Sequence, residues 1–292
     1  MNAMIDVGVI GAGPHARALL DHRAPLGRIR LAGSAGRDWA TLAVDPTLRA
    51  ILVFTPPGER FLPVVAALRA GKIVLCPPPI ALSSAELADL AAAEASGGGR
   101  LLCGGEIVHS EAGRWGLAAM HAPEFGPLRS LYLAIRQPRG GADDVLDALG
   151  WEALDFIGAA LPAGVSQVRL NGGALFGPVR DTVVLLLRGA DDAVVTVELS
   201  RCLPRTVPAP GLGDVEIDAI GAHQAVRIEP QASAVRVHTD TTVVAAPWLD
   251  APVLAMLRAV EHAADHDAGK SDALPRAAQA LATMTAIRAA AG

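Results

Sequence analysis

Lysine is nearly absent. Lys72 and Lys270 are the only two among 25 basic residues, so almost all positive charge is permanently protonated arginine. Any chemistry that needs a lysine has two addresses. Aromatic residues make up 3%, so the core must be built from Ala, Val, Leu and Ile. The three cysteines, Cys76, Cys103 and Cys202, are far apart and form no CxxC or Cys/His cluster. That argues against a disulfide framework and a metal site, and fits a reduced, cytoplasmic setting. The net charge of -5 comes without a basic stripe, which excludes a nucleic-acid partner. No apolar run approaches the roughly 20 residues that cross a bilayer. The opening MNAMIDVGVIGAG has no basic segment before its apolar run, unlike a secretory signal. There is no Gly-x-Ser-x-Gly elbow and no P-loop, so acyl and phosphoryl transfer lack support. The single tyrosine, Tyr132, falls within a predicted strand and gives no sign of a Tyr-Lys reductase pair.

What is present is apolar. Hydrophobic residues reach 51% and charged residues only 19%, the opposite of a disordered chain. A length of 292 residues predicts about two domains. Strand-like runs at 4–10, 29–32, 51–55, 72–76 and 101–103 alternate with helical stretches at 14–23, 61–70 and 85–95. Gly71 suits a helix C-terminus, and Ser83 or Ser84 an N-cap. This alternation predicts a parallel sheet with right-handed crossovers. After about residue 105 the pattern changes. A helical stretch at 110–121, a strand at 128–136 and a helix at 151–160 precede a series of short β runs between 165 and 244. Turn signals such as Gly189-Ala190-Asp191-Asp192 separate the β runs at hairpin spacing. Helical composition returns at 251–265 and 273–291. The expected architecture is an α/β Rossmann domain at 1–105, followed at 106–292 by an α+β domain with a large, mostly antiparallel open sheet and a helical tail.

Between the first strand and first helix stands Gly11-x-Gly13-x-x-Ala16, the context a dinucleotide fingerprint requires. Gly11 allows the tight turn, Gly13 lets backbone approach a pyrophosphate, and Ala16 permits close helix–strand packing. Pro14 suits a first helical turn, and the helix N-terminus offers N–H groups to phosphate. His15, inside the loop, faces either phosphate or solvent. Thr55 and Pro56, at the end of the third strand, complete the candidate cofactor contacts. The ribose position is unusual. An NAD site usually carries Asp or Glu at the end of the second strand, where this chain reads Ala32-Gly33-Ser34-Ala35-Gly36-Arg37. Ser34 and Arg37 either hold the 2′-phosphate of NADP or are a turn residue and a solvated arginine. The cofactor is NAD or NADP, with those two residues tipping the choice slightly to NADP.

Together these segments resemble the Gfo/Idh/MocA oxidoreductases, the glucose–fructose oxidoreductase and inositol dehydrogenase family. ILVFTPPGERFLPVVAALRAGKIVLCPPPIALSSAEL resembles the family's third strand, helix, AGK turn and fourth strand, and VEIDAIGAHQAVRIEP its strand–Gly–strand hairpin. The resemblance covers nearly the whole chain and is specific at 5–17 and 51–90. It implies an NAD(P)-dependent oxidoreductase for a sugar, polyol or related hydroxy compound. Hydride would pass to or from nicotinamide C4 above the strand C-termini. It also implies a small-molecule substrate and a homo-oligomer, dimer or tetramer, formed through the exposed face of the second sheet.

Three departures from the family pattern matter. The Glu-Lys-Pro after the fourth strand, whose lysine contacts substrate and helps proton transfer, is here Pro77-Pro78-Pro79, with Pro78 in the lysine's place. Neither Lys72 nor Lys270 is an obvious substitute. The Gly-x-His-x-x-Asp run that supplies an acid/base histidine is here Gly150-x-Glu152-x-x-Asp155. Glu152 and Asp155 share a helix face and are read as a carboxylate base or as a solvated acidic face. The stretch from Arg37 to Ala50 is short, with room for one helix at 39–44, so the adenosine wall is trimmed. His109, after the fifth strand, is a further candidate to contact substrate, or a structural histidine. Arg136 and Arg139 either bind a carboxylate or form surface ion pairs. The Pro/Gly-rich loop 204–213 suits a lid or an oligomer contact. Two function classes follow: an oxidoreductase moving protons through Glu152, Asp155, His109 or water, or an inactive relative that binds a nucleotide, metabolite or partner.

Overall fold

The computed structural model describes residues 4–21, 27–36, 38–207, 212–229, 234–239, 243–247, 252–265 and 273–291. Arg37, Lys270 and part of the loop 204–213 lie outside the described residues, as do the side chains of Pro14 and His15. The chain divides into two compact units, 1–109 with 251–281, and 110–250 with 282–292.

The first unit begins β1 (Ile5–Ile10), α1 (Pro14–Leu20), β2 (Ile29–Ala35), α2 (Ala40–Val44), β3 (Ala50–Val53), α3 (Phe61–Arg69), β4 (Ile73–Cys76), α4 (Ser84–Gly97), β5 (Arg100–Cys103) and α5 (Glu106–His109). Its five strands lie in the order β2-β1-β3-β4-β5, all paired in parallel. A parallel sheet covered on both faces needs continuous apolar strands, and every residue of β3 and β4 is buried. Each fully buried Val, Leu or Ile there contributes about 1.5–3 kcal/mol. Ser83 caps α4 by accepting from Glu86 N–H at 3.2 Å, and the left-handed Gly98 ends it.

One face of this sheet is covered by α2, α3, α4 and residues Ala273, Leu274 and Ala277. The other carries α1 and Met256, Leu257, Val260 and Ala263, which lie on α8 (Pro252–Asp265). The physical reason is width. Five strands span roughly 20 Å, whereas one helix covers about 10 Å, so the seven-residue α1 leaves apolar strand surface open. Glu261 fastens α8 by accepting Arg28 N–H at 2.6 Å. The sequence placed the whole tail with the second region; in the structure α8 completes the first core. Lys72 is structural as well. Its Nζ donates to the carbonyls of Asp45 (2.6 Å) and Leu48 (2.7 Å), and burial pushes its pKa down.

The second unit contains α6 (Glu111–Met120), β6 (Leu128–Pro138), α7 (Val145–Ala160), β7 (Val165–Gly173), β8 (Thr182–Gly189), β9 (Val194–Leu203), β10 (Asp214–Gly221), β11 (Ala225–Glu229), β12 (Ala234–His238) and β13 (Val243–Pro247). Helix α9 (Ala273–Ala291) closes the chain. The eight strands run β13-β12-β11-β10-β6-β9-β8-β7. All pairs are antiparallel except β6 with β9. Burial alternates along β8 and β10, as expected for a sheet with one face on a core. The turn at 189–192 closes as the sequence indicated: Gly189 N–H donates to Ala193 O at 2.8 Å, with Asp192 at φ +70°. Helix α7 starts two turns earlier than the sequence suggested. Asp144 caps it, accepting from Leu146 N–H at 2.8 Å, and Arg180 holds that carboxylate at 2.9 Å.

Candidate functional site

In a sheet of order 2-1-3-4-5, ligands bind outside the strand C-termini where the order reverses, between β1 and β3. Gly11 follows β1, and Phe54 and Thr55 follow β3, so the fingerprint and Thr55 meet at that crevice. The two glycines are required for different reasons. Gly11 has φ +118°, and a Cβ there would lie 2.5 Å from Phe54 O. The fold itself demands glycine at this position. Gly13 is extended, at φ -70° and ψ -179°. A Cβ on it would come no closer than 3.4 Å to Phe54 O. Packing leaves room for a side chain there, so glycine suits both its place as the N-cap of α1 and the close approach of a ligand. Ala16 is fully buried in the core beside Val9 and Phe54, so it serves helix–strand packing.

The crevice floor carries unspent polar groups. Thr55 is buried, and its Oγ1 has no hydrogen-bond partner among the described residues. Pro56, beside it, is exposed. Arg60 occupies the N-cap position of α3 without a side-chain capping bond, and is 6% exposed. Its Nη1 donates to Pro77 O (2.6 Å) and Pro79 O (2.9 Å), and its Nη2 to Thr55 O (2.7 Å). The arginine therefore ties the ends of β3 and β4 together. The sequence reading missed it, although a signal was present: a cation at a helix N-terminus opposes the helix dipole and needs another reason to be there. Pro77 and Pro79 are buried, while Pro78 is half-buried. None of the three prolines carries an ionisable side chain; the Cys76 thiol that ends β4 is buried, and burial pushes its pKa up.

The other expected residues are distributed as follows. Ser34 is exposed as the penultimate residue of β2, within a strand rather than a turn; β2 runs three residues past its expected end. Its possible companion Arg37 is outside the described residues. His109 ends α5, half-buried, with Nε2 2.6 Å from Cys103 O. A carbonyl only accepts, so Nε2 carries the proton and Nδ1 is the basic nitrogen of the neutral ring. Glu152 and Asp155 sit on α7 in the second unit, 8% and 2% exposed. That corrects the picture of a solvated acidic face: α7 is buried along most of its length, so both carboxylates turn inward with it. Arg136 is not set up for a ligand. It donates to Glu198 Oε1 at 2.9 Å and to Tyr132 Oη at 2.7 Å, with Asp214 and Glu216 also beside it. Tyr132 donates to Glu198 at 2.7 Å, and burial, reinforced by that carboxylate, pushes its pKa up to about 12. Arg139 stacks on Phe176, 3.8 Å from the ring centre.

The site's donor set fits a dinucleotide: a cradle that a Cβ at Gly13 would fill, and a buried hydroxyl without a partner. Residues 28–104 match the family model described as "Oxidoreductase family, NAD-binding Rossmann fold", GFO_IDH_MocA. Over those residues the chain is similar to the Gfo/Idh/MocA oxidoreductases. A curated relative, inositol 2-dehydrogenase of Acidothermus cellulolyticus, is 30% identical over 173 residues, which is 56% of this chain and 50% of the relative. The chain thus spans about half the length of that relative. Among solved structures, UDP-N-acetylglucosamine 3-dehydrogenase from Acidithiobacillus ferrooxidans superposes with a TM-score of 0.77 at 20% identity, covering 100% of both chains. An oxidoreductase from Agrobacterium radiobacter, in complex with NAD+, L-tartaric acid and magnesium, gives 0.78 at 15% identity over 99% of this chain and 96% of its own. At these identities the superpositions establish the shared fold: a Rossmann-like parallel sheet followed by a mostly antiparallel one. Among the described residues, no helix is long and apolar enough to cross a membrane.

Proposed function

We propose that the chain is an NAD(P)-dependent oxidoreductase acting on a sugar, polyol or related hydroxy compound. The observation that carries this reading is the glycine turn at 11–13, with the unpartnered Thr55 hydroxyl beside it, at the crevice where the strand order reverses. The inositol and nucleotide-sugar dehydrogenases among the similar proteins support the substrate class. When bound, the cofactor supplies hydride exchange at nicotinamide C4. The chain's residues hold it and manage the proton. Gly11 and Gly13 leave backbone open to the pyrophosphate, and Thr55 Oγ1 offers a hydroxyl on the floor. Ser34, near the end of β2 where a ribose 2′ group is expected, tips the proposed choice toward NADP, with Arg37 following it in sequence. Pro78 carries no proton, so the proton is proposed to move through Glu152, Asp155, His109 or water. A homo-oligomer is proposed through the uncovered face of the second sheet. There Val184, Leu186, Val194 and Ile220 stay exposed, a grouping that marks interaction surfaces.

Calorimetric titration with NADH and NADPH, after a check for co-purified nucleotide, tests the cofactor reading. Micromolar binding of either is expected, and tighter NADPH binding supports Ser34 and Arg37 as the 2′-phosphate site. Absence of binding at millimolar cofactor overturns the reading.

A further inference from the structure

We infer that Arg139 and Arg201 form an oxyanion site at one end of the second sheet, and that the hydroxy compound this protein binds places a carboxylate or phosphate there. This deepens the reading above by narrowing its substrate class, and its test needs no cofactor.

The argument begins where β6 and β9 end. The two strands are parallel neighbours with Pro138 opposite Leu203, so they finish at the same edge. The arginines there reach across to each other's strand. Arg139 Nε donates to Cys202 O at 3.3 Å, and Arg201 Nε donates to Gln137 Oε1 at 3.3 Å. Both guanidiniums therefore sit at one corner. Among the described residues neither pairs with a carboxylate. Asp143 offers Arg201 Nη1 its backbone carbonyl, at 3.0 Å. Asp144 is engaged by Arg180 at 2.8 Å. Asp181 accepts from the N–H groups of Leu175 (2.8 Å) and Phe176 (2.6 Å). Arg201 Nη2 and both Nη nitrogens of Arg139 make no hydrogen bond among the described residues.

Two devices hold this corner in shape. Gly141 has φ +95°, and a Cβ on it would lie 2.3 Å from Arg201 Nη1. The loop after β6 closes over that guanidinium because the residue is glycine. On the other side, Asp181 fixes the loop before β8 and keeps Phe176 54% exposed. Arg139 lies over that ring, 3.8 Å from its centre. Stacking uses the flat face of a guanidinium and leaves the N–H groups along its edge for another partner. A carboxylate or phosphate accepts two such parallel N–H bonds at once. A merely solvated pair of arginines needs neither a glycine loop nor a tethered phenylalanine.

The test is calorimetric titration of the full chain with glucuronate, glucose 6-phosphate and, as the neutral control, glucose. At least one acidic sugar is expected to bind about tenfold or more tighter than glucose, and the tighter of the two tells carboxylate from phosphate. Arg139→Gln is expected to weaken that binding about tenfold or more, with an unchanged melting temperature because the residue is exposed. Arg201→Gln is expected to weaken it as much. That variant also loosens the loop at Gly141, so Arg139→Gln carries the decision. Acidic sugars that bind the wild type no tighter than glucose overturn the inference, as does full affinity kept in Arg139→Gln. Lost nucleotide affinity in Arg139→Gln would assign the arginine to the cofactor and overturn it as well. If an acidic sugar binds the wild type through Arg139 while NADH and NADPH do not bind, the cofactor reading fails and this site stands.

Discussion

Two strand ends of the first sheet have diverged. At the end of β1, facing β3, the chain has Gly11, Gly13 and a buried hydroxyl on Thr55 that no described residue uses. At the end of β4 it has three prolines, two of them buried, strapped to β3 by Arg60. The first end leaves room and an unpartnered hydroxyl; the prolines at the second have no side-chain group that could move a proton, and the Cys76 thiol there is buried. Binding and proton transfer are thus separable in this fold, because they depend on different strands. The charge that stays beside the prolines is a guanidinium, which orients and attracts but does not titrate.

The largest effect that sharpens this contrast falls on Gly11. Gly11→Ala places a Cβ against Phe54 O at a left-handed φ. It is expected to cost at least about 2 kcal/mol, visible as a lowered melting temperature whether or not nucleotide is present. An unchanged melting temperature would mean that the turn relaxes and that the fold does not demand this glycine. Next comes the proton. If β4 no longer supplies it, Glu152→Gln is expected to lower turnover by about a hundredfold or more while leaving nucleotide affinity as it was. Unchanged turnover removes Glu152 as the base and leaves His109 and Asp155.

The smallest effect lies in the second unit and serves as a control away from the crevice. The Arg136 guanidinium, with help from the Tyr132 hydroxyl, holds the Glu198 carboxyl below its ordinary range. A carboxylate with a depressed folded pKa adds stability above its unfolded pKa, about 4.3, and loses it as pH falls through the folded value. Wild-type urea midpoints are therefore expected to fall between pH 5 and pH 3 (about) more steeply than those of Glu198→Gln. Parallel slopes would show that this pair adds nothing on the acid limb.

The fold was largely legible in the sequence. Alternation of apolar runs with capped helices fixed β1 to β5, because buried parallel strands leave continuous runs such as Ile51–Val53 and Ile73–Cys76. The start of α7 was not legible, since Gly150 interrupts helical composition and the cap at Asp144 is shared with Arg180, far away in the chain. Nor was the partner of the tail, because which core α8 covers depends on the surface α1 leaves exposed. At the site, the glycine spacing gave the location, while Arg60 stayed hidden. Its role comes from three carbonyls on two strand ends, and no local pattern records them. The inward turn of Glu152 and Asp155 was hidden in the same way, since three-residue spacing defines a helix face but not what that face meets.

The most direct measurement is nucleotide titration of Gly13→Ala beside the wild type, with melting temperatures of both in the absence of nucleotide. The backbone at Gly13 is extended, and the nearest atom to an added Cβ would be at 3.4 Å, so the account predicts a melting temperature lowered only by the loss of a glycine N-cap, about 1 kcal/mol or less. It also predicts nucleotide affinity weakened at least about tenfold, because a methyl group would stand where the pyrophosphate approaches. Wild-type affinity retained in Gly13→Ala would contradict the claim that this crevice holds the cofactor.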